Sequence, residues 1–117
     1  MAAGRFHIII DAINVPNQPL TDEEGLKTFL IDLTEIIDMH ILKGPEVVAG
    51  IPENPGLSGF VIIDFSHISI HTFIEHKQAL VDIFSCKSFD QEIANNAVLD
   101  YFQASVEDAK IQQVSWE

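Results

Sequence analysis

The stretch from Phe60 to Cys86, FVIIDFSHISIHTFIEHKQALVDIFSC, constrains the fold more than any other part of the chain. Its apolar residues come in short runs, and between His67 and His71 isoleucine alternates with polar residues. A period of two is that of a β-strand, so Ile68 and Ile70 are expected on one face and the two histidines on the other. We therefore expect this stretch to form a sheet with one apolar and one polar face.

Apolar spacing predicts the remaining strands and two helices. Between Leu26 and Ile37 apolar residues recur at helical spacing behind a capping box of Thr21 and Glu24, and this helix is expected to end before Gly44. Predicted strands cover residues 5–13, 46–51, 60–63, 67–71, 80–84 and 110–116, and a second helix covers about 90–102. The order β-α-β-β-β-β-α-β predicts an α+β fold in one domain of residues 1–117. This is a two-layer α/β sandwich, with a mainly antiparallel sheet covered by two helices.

Charge and composition exclude several function classes. Eighteen acidic residues against six basic ones give a net charge of -12, which disfavours binding to nucleic acid or to an anionic membrane surface. The apolar runs are too short to cross a bilayer, the single cysteine cannot form an internal disulfide, and the N-terminus lacks a secretory signal pattern. A cytoplasmic protein is therefore expected. No metal is expected either, because the histidines, the cysteine and the carboxylates show no recognisable ligand spacing.

Two serines, a histidine and the cysteine form a specific pattern in the central segment. Ser58 lies eight residues before Ser66, His71 five residues after it, and Cys86 twenty residues after it. At these spacings the segment resembles the processing and active-site segment of the small bacterial and archaeal type of S-adenosylmethionine decarboxylase. The resemblance implies that Ser66 is the precursor of a covalent pyruvoyl cofactor and the site of the Schiff base. It also implies that His71 acts in processing, Ser58 in processing and catalysis, and Cys86 as proton donor.

The resemblance further implies how the chain is processed and what it acts on. Self-cleavage at the Phe65–Ser66 bond would give a β chain of residues 1–65 and an α chain of residues 66–117. The pyruvoyl ketone would then withdraw electrons from an amino-acid substrate as carbon dioxide leaves. The implied substrate is S-adenosylmethionine, in the pathway to spermidine. The implied assembly is a homodimer with active sites at the subunit interface, and an uncovered sheet face gives such a domain a reason to self-associate.

Two substrate-binding positions follow from the same resemblance, and one of them departs from the family pattern. Glu75 matches a pocket carboxylate, whereas Phe65 stands where the family carries a glutamate that helps hold the ribose hydroxyls. Asp64 is adjacent, yet in a strand it would point to the other face. Residues 51–55 contain no aromatic side chain on which adenine could stack.

Three functional hypotheses remain open at this point. The chain is an S-adenosylmethionine decarboxylase with an unusual pocket, a decarboxylase of the same chemistry for another amino acid such as arginine or ornithine, or an uncleaved homologue that serves as a binding or regulatory partner. Strand parity poses a separate question, because an unbroken strand from Ser66 to His71 would place their side chains on opposite faces. Either a bend at the Phe65–Ser66 bond or help from across a dimer interface is needed to bring the two groups together.

Overall fold

The computed structural model describes residues 3–116 and places six strands and three helices there. In chain order these are β1 (Phe6–Ala12), α1 (Asn17–Thr21), α2 (Glu23–Ile36), β2 (Ile41–Ile51), β3 (Asn54–Ile63), β4 (Ser66–Phe73), β5 (Gln78–Ser85), α3 (Gln91–Phe102) and β6 (Ala109–Gln113). A short 3₁₀ turn over Val106–Asp108 leads into β6. Apart from α1 and this turn, the order of elements is the predicted one.

All six strands join in one antiparallel sheet of order β2-β3-β4-β5-β1-β6. Strands β2 to β5 follow one another in the chain and form a meander joined by short turns, and β1 pairs with the outer side of β5. The helices pack on one side of this sheet, with α2 against β2 and β3 and α3 against β1. The predicted α+β two-layer sandwich is thereby confirmed.

The core lies between the sheet and its helices. Burial alternates along the strands, so that Ile68 and Ile70 on β4 are fully buried, as the period of two predicted. The opposite face of the sheet carries no helix among residues 3–116, and it exposes Val48, Ile62 and Trp116 by 63%, 38% and 54%. We call this uncovered surface the open face.

Several predicted boundaries are wrong, and each has a local reason. Asp22, rather than Thr21, caps α2, because its carboxylate accepts the Gly25 N–H at 2.9 Å. Thr21 instead ends α1, a helix that occupies part of the segment interpreted as a turn. Strands β2 and β3 extend well beyond the predicted runs, because a hairpin ladder between them continues through polar and glycine residues. The last strand ends at Gln113 rather than at Trp116.

Among the helices of the described residues, none is long and apolar enough to span a membrane.

Candidate active site

The turn between β3 and β4 places Ser66 in a strained backbone conformation. Asp64 and Phe65 form a two-residue turn, and Ile63 pairs with Ser66 across it. Two-residue hairpins normally place glycine or asparagine at positive φ within the turn. Here the positive φ falls on Ser66, at 143°, a region that residues with a side chain rarely occupy and that costs about 1–3 kcal/mol. The bond between Phe65 and Ser66 is therefore followed by a strained residue.

The carbonyl group of that same bond receives a hydrogen bond from the residue that directly follows β5. The Cys86 backbone N–H donates to the Phe65 carbonyl oxygen at 2.9 Å. A donor in this position withdraws electron density from the carbonyl carbon and stabilises negative charge that develops on its oxygen. Cys86 itself is exposed.

A second anchor holds the turn from the other side. The Asp64 N–H donates to the His40 carbonyl at 2.9 Å, and the His40 N–H donates to Asp64 Oδ1 at 3.1 Å. The His40 ring nitrogen Nδ1 lies 3.2 Å from Asp64 Oδ2. The hydrogen bond from the backbone N–H of His40 is the main reason that the pKa of Asp64 lies below its ordinary value of 3.8. Desolvation raises this pKa, and the His40 imidazole lowers it further. Both carboxylate oxygens are thus engaged within the fold rather than turned toward a ligand.

Ser58 and His71 form a pair on the open face. They are register partners on β3 and β4, and Ser58 Oγ lies 2.8 Å from His71 Nδ1. The pair lines a cavity of about 260 Å³ together with Phe60, Ser69 and Glu46. A hydroxyl in contact with an imidazole can pass a proton to it or receive one from it, so this pair can act as an acid–base unit.

Within one chain the two parts of the site lie apart. The chain turns at Asp64 and Phe65, and Ser66 has a φ of 143°, so the backbone does bend at the Phe65–Ser66 bond. From Ser66 through His71, however, β4 is continuous, and the bend does not bring the two residues together. Five strand residues correspond to about 16 Å, which is too far for His71 to exchange a proton with Ser66. His71 lies on the open face, whereas Ser66 stands at the turn end of β4 with a φ of 143°, outside the regular alternation of the strand.

The two predicted substrate-binding residues lie in different surroundings. Phe65 is half-buried against the core, and the Lys87 ammonium lies 5.0 Å from the centre of its ring. Glu75 is exposed in the turn after β4, at the end of that strand opposite to Ser66. Of the predicted site residues, the structure of one chain groups Phe65, Ser66 and Cys86 together and Ser58 with His71, and it leaves Glu75 by itself.

Sequence reasoning missed His40, Lys87 and a second polar cluster on the open face. In that cluster His7 Nε2 lies 2.8 Å from Asp82 Oδ1, beside a cavity of about 290 Å³ also lined by Trp116. Only the pairing of strands brings these residues together, so no local motif could have revealed them. Within residues 3–116, no group of three or more histidine, cysteine or acidic side chains could hold a metal ion.

Comparison with known proteins gives one consistent family. The sequence profile described as S-adenosylmethionine decarboxylase matches residues 6–114. An S-adenosylmethionine decarboxylase proenzyme of Thermodesulfovibrio yellowstonii is 33% identical over 108 residues, which cover 91% of this chain and 77% of that protein. A proenzyme of the same name from a Geobacillus species is 42% identical over 98 residues, covering 80% of this chain and 73% of that protein.

A relative with another printed activity and a solved structure complete the comparison. An arginine decarboxylase proenzyme of Caldivirga maquilingensis is 29% identical over 80 residues, covering 68% of this chain and 60% of that protein. The crystal structure of the adenosylmethionine decarboxylase from Aquifex aeolicus superposes with a TM-score of 0.81 at 22% identity, covering 97% of this chain and 91% of that one. At that identity the structural likeness concerns the fold alone.

Proposed function

Because the chain belongs to the S-adenosylmethionine decarboxylase family, we propose that it is a pyruvoyl-dependent carboxy-lyase that cleaves itself between Phe65 and Ser66. The single observation that carries this proposal is the geometry of that bond. Ser66 is held at a φ of 143°, and the Phe65 carbonyl accepts the Cys86 N–H at 2.9 Å. Strain behind the bond and a donor on its oxygen both favour attack on the carbonyl carbon. The proposed substrate is S-adenosylmethionine, on the route to spermidine.

The proposed cleavage uses only the chain and one water molecule. Ser66 Oγ loses its proton and attacks the Phe65 carbonyl carbon, the C–N bond breaks, and the Ser66 nitrogen takes up a proton to leave an ester. A base then removes the Ser66 Cα proton, and the Cα–H electron pair becomes a double bond to Cβ. The ester oxygen leaves with Phe65 as a carboxylate. The resulting enamine becomes an imine, and water replaces its nitrogen, which departs as ammonia and leaves a ketone at residue 66.

The chain's own groups fit the formation of such a cofactor. The Cys86 N–H stabilises negative charge on the Phe65 oxygen during attack. The Ser58–His71 pair supplies the acid–base unit that moves the protons of both steps. The ketone, once formed, provides an electron sink for decarboxylation of an amino acid. The exposed Cys86 thiol is the proposed proton donor to the product.

A homodimer is part of the proposal, since one chain does not bring its own acid–base pair to its own Ser66. The Ser58–His71 pair lies on the open face, where Val48, Ile62 and Trp116 expose apolar surface that packing would bury. A two-fold dimer through this face would offer the pair of each protomer to the Phe65–Ser66 bond of the other. In this proposal residues 1–117 form one domain, which becomes chains 1–65 and 66–117, and the enzyme acts in the cytoplasm.

Complementation between two inactive variants tests the shared site. Ser66→Ala lacks the nucleophile and His71→Ala lacks the base, so each alone is expected to remain an intact chain of about 13.0 kDa. In a mixed dimer the Ser66→Ala protomer supplies His71, and the His71→Ala protomer supplies Ser66. Co-expression should therefore cleave the His71→Ala chain and leave the Ser66→Ala chain whole. Cleavage of neither chain in a proven mixed dimer would contradict the shared site, and cleavage of Ser66→Ala would contradict the nucleophile.

Phe65 and residues 51–55 favour a second candidate, decarboxylation of another amino acid. A phenyl ring accepts no hydrogen bond from ribose hydroxyls, and Ile51–Pro55 offers no aromatic side chain to adenine. One relative carries the printed name of an arginine decarboxylase proenzyme. Release of carbon dioxide from carboxyl-labelled S-adenosylmethionine, arginine and ornithine by the cleaved protein distinguishes the candidates. If carbon dioxide is released only from arginine or ornithine, that amino acid replaces S-adenosylmethionine as the substrate. A protein that never cleaves itself would instead agree with the role of a binding or regulatory partner.

A further inference from the structure

Ser85 is a fully buried hydroxyl beside the bond that the proposed function cleaves. It is the last residue of β5 and the register partner of Ser66 on β4. Its relative exposure is 0%, and it is one of three buried polar side chains among the described residues. A hydroxyl at such a position needs hydrogen-bond partners, since leaving it unpaired costs free energy.

The Ser85 hydroxyl both donates a hydrogen bond to the Lys87 backbone and accepts one from it. Ser85 Oγ donates to the Lys87 carbonyl at 2.7 Å and accepts the Lys87 N–H at 2.9 Å. The sulfur of Met39 lies 3.7 Å away, a weaker acceptor for the same proton. The hydroxyl therefore closes a small ring around the residue between Ser85 and Lys87, which is Cys86.

That ring fixes the direction of the Cys86 peptide group. With Ser85 paired to Ser66 and Lys87 tied back to Ser85, the Cys86 N–H has little freedom to rotate away from the Phe65 carbonyl, 2.9 Å distant. A donor that stabilises a developing oxyanion works only when it is already aimed at the oxygen. The same ring sets where the Cys86 side chain leaves the backbone.

We propose that Ser85 is a positioning residue for self-cleavage, which acts by holding the Cys86 N–H on the Phe65 carbonyl. The inference rests on the proposed function, because it assigns a role within that cleavage. Ser85 does not touch the reacting atoms and is not a catalytic residue. Alanine at this position removes only the hydroxyl, and the Lys87 backbone lies at an exposed residue where water can replace the lost hydrogen bonds.

The test compares cleavage rates of freshly synthesised precursors by intact mass. Ser85→Ala is expected to slow cleavage by about tenfold or more, because losing an aligned oxyanion donor outright costs about 100- to 1000-fold. Ser85→Thr keeps the hydroxyl and should cleave within about threefold of wild type. Ser88→Ala, an exposed serine three positions on, is the matched control and should cleave as wild type does. Far-UV circular dichroism and the thermal midpoint establish that each precursor is folded.

A second measurement does not depend on cleavage. In a Ser66→Ala background, adding Ser85→Ala should change the rate at which iodoacetamide alkylates Cys86 by about threefold or more, since the thiol loses its fixed setting. Cleavage of folded Ser85→Ala at the wild-type rate, with unchanged alkylation, would overturn the inference and leave the proposed function intact. A slow Ser85→Ala precursor that Ser85→Thr does not rescue would also overturn it. A wild-type chain that never cleaves would overturn both.

Discussion

At position 66 the glycine variant should be more stable than the alanine variant, whereas within an ordinary strand glycine is the less stable of the two. Both substitutions remove the Ser66 hydroxyl, so both give an uncleaved chain, but only glycine relaxes at a φ of 143°. The strained region costs a residue with a side chain about 1–3 kcal/mol. Glycine also gives the unfolded chain more conformational freedom, which offsets about 0.4–1 kcal/mol of the stability gained by relieving the strain. Ser66→Gly should therefore be more stable than Ser66→Ala by about 1 kcal/mol.

Thermal and urea unfolding of the two variants measure this difference. For a chain of this size, 1 kcal/mol moves the thermal midpoint by about 4 °C. Position 69, in the middle of β4, is the matched control: there glycine should be less stable than alanine by about 0.5–1 kcal/mol, as in an ordinary strand. A Ser66→Gly variant that is no more stable than Ser66→Ala would refute the claim that the bond is followed by a strained residue.

Two further predictions concern the supports around the site. Thr72→Val should lower the free energy of unfolding by about 2–3 kcal/mol, because the buried hydroxyl donates to one backbone carbonyl at 2.8 Å and accepts one backbone N–H at 2.9 Å. Thr21→Val, at an exposed helix end, should change it by less than about 0.5 kcal/mol. Asp64 has a lowered pKa, so its contribution is present above 3.8 and is lost as the pH falls through the folded-state pKa. Asp64→Asn should therefore lose less urea resistance than wild type between about pH 6 and about pH 3. Parallel curves for Asp64→Asn and wild type would contradict this.

Much of the fold could be predicted from the sequence because its signals are local. The alternation at Ile68 and Ile70 predicted which face of β4 is buried, and the spacing around Leu30 predicted α2. The errors fall where pairing overrides propensity. Residues 54–59 contain two glycines and a proline and carry no strand signal, yet the ladders to β2 and β4 hold them extended.

For the candidate site as well, the sequence predicted what depends on local spacing but not what depends on contacts between strands. The spacings of Ser58, Ser66, His71 and Cys86 marked the residues, and strand parity already indicated that Ser66 and His71 do not meet within one continuous strand. The Cys86 N–H on the Phe65 carbonyl and the pairing of Ser85 with Ser66 depend on the register of β4 against β5. A register is a property of the assembled sheet, so neither feature could be read from the sequence.

In the proposed reaction the Phe65–Ser66 bond breaks through the Ser66 hydroxyl and leaves a ketone at residue 66. Intact mass of the purified wild-type protein tests this most directly. We expect two chains. Residues 1–65 should end in a free carboxylate, and residues 66–117 should lack the Ser66 nitrogen and be closed to N-terminal sequencing. A single chain of about 13.0 kDa, or a second fragment that begins with an ordinary serine, would contradict it.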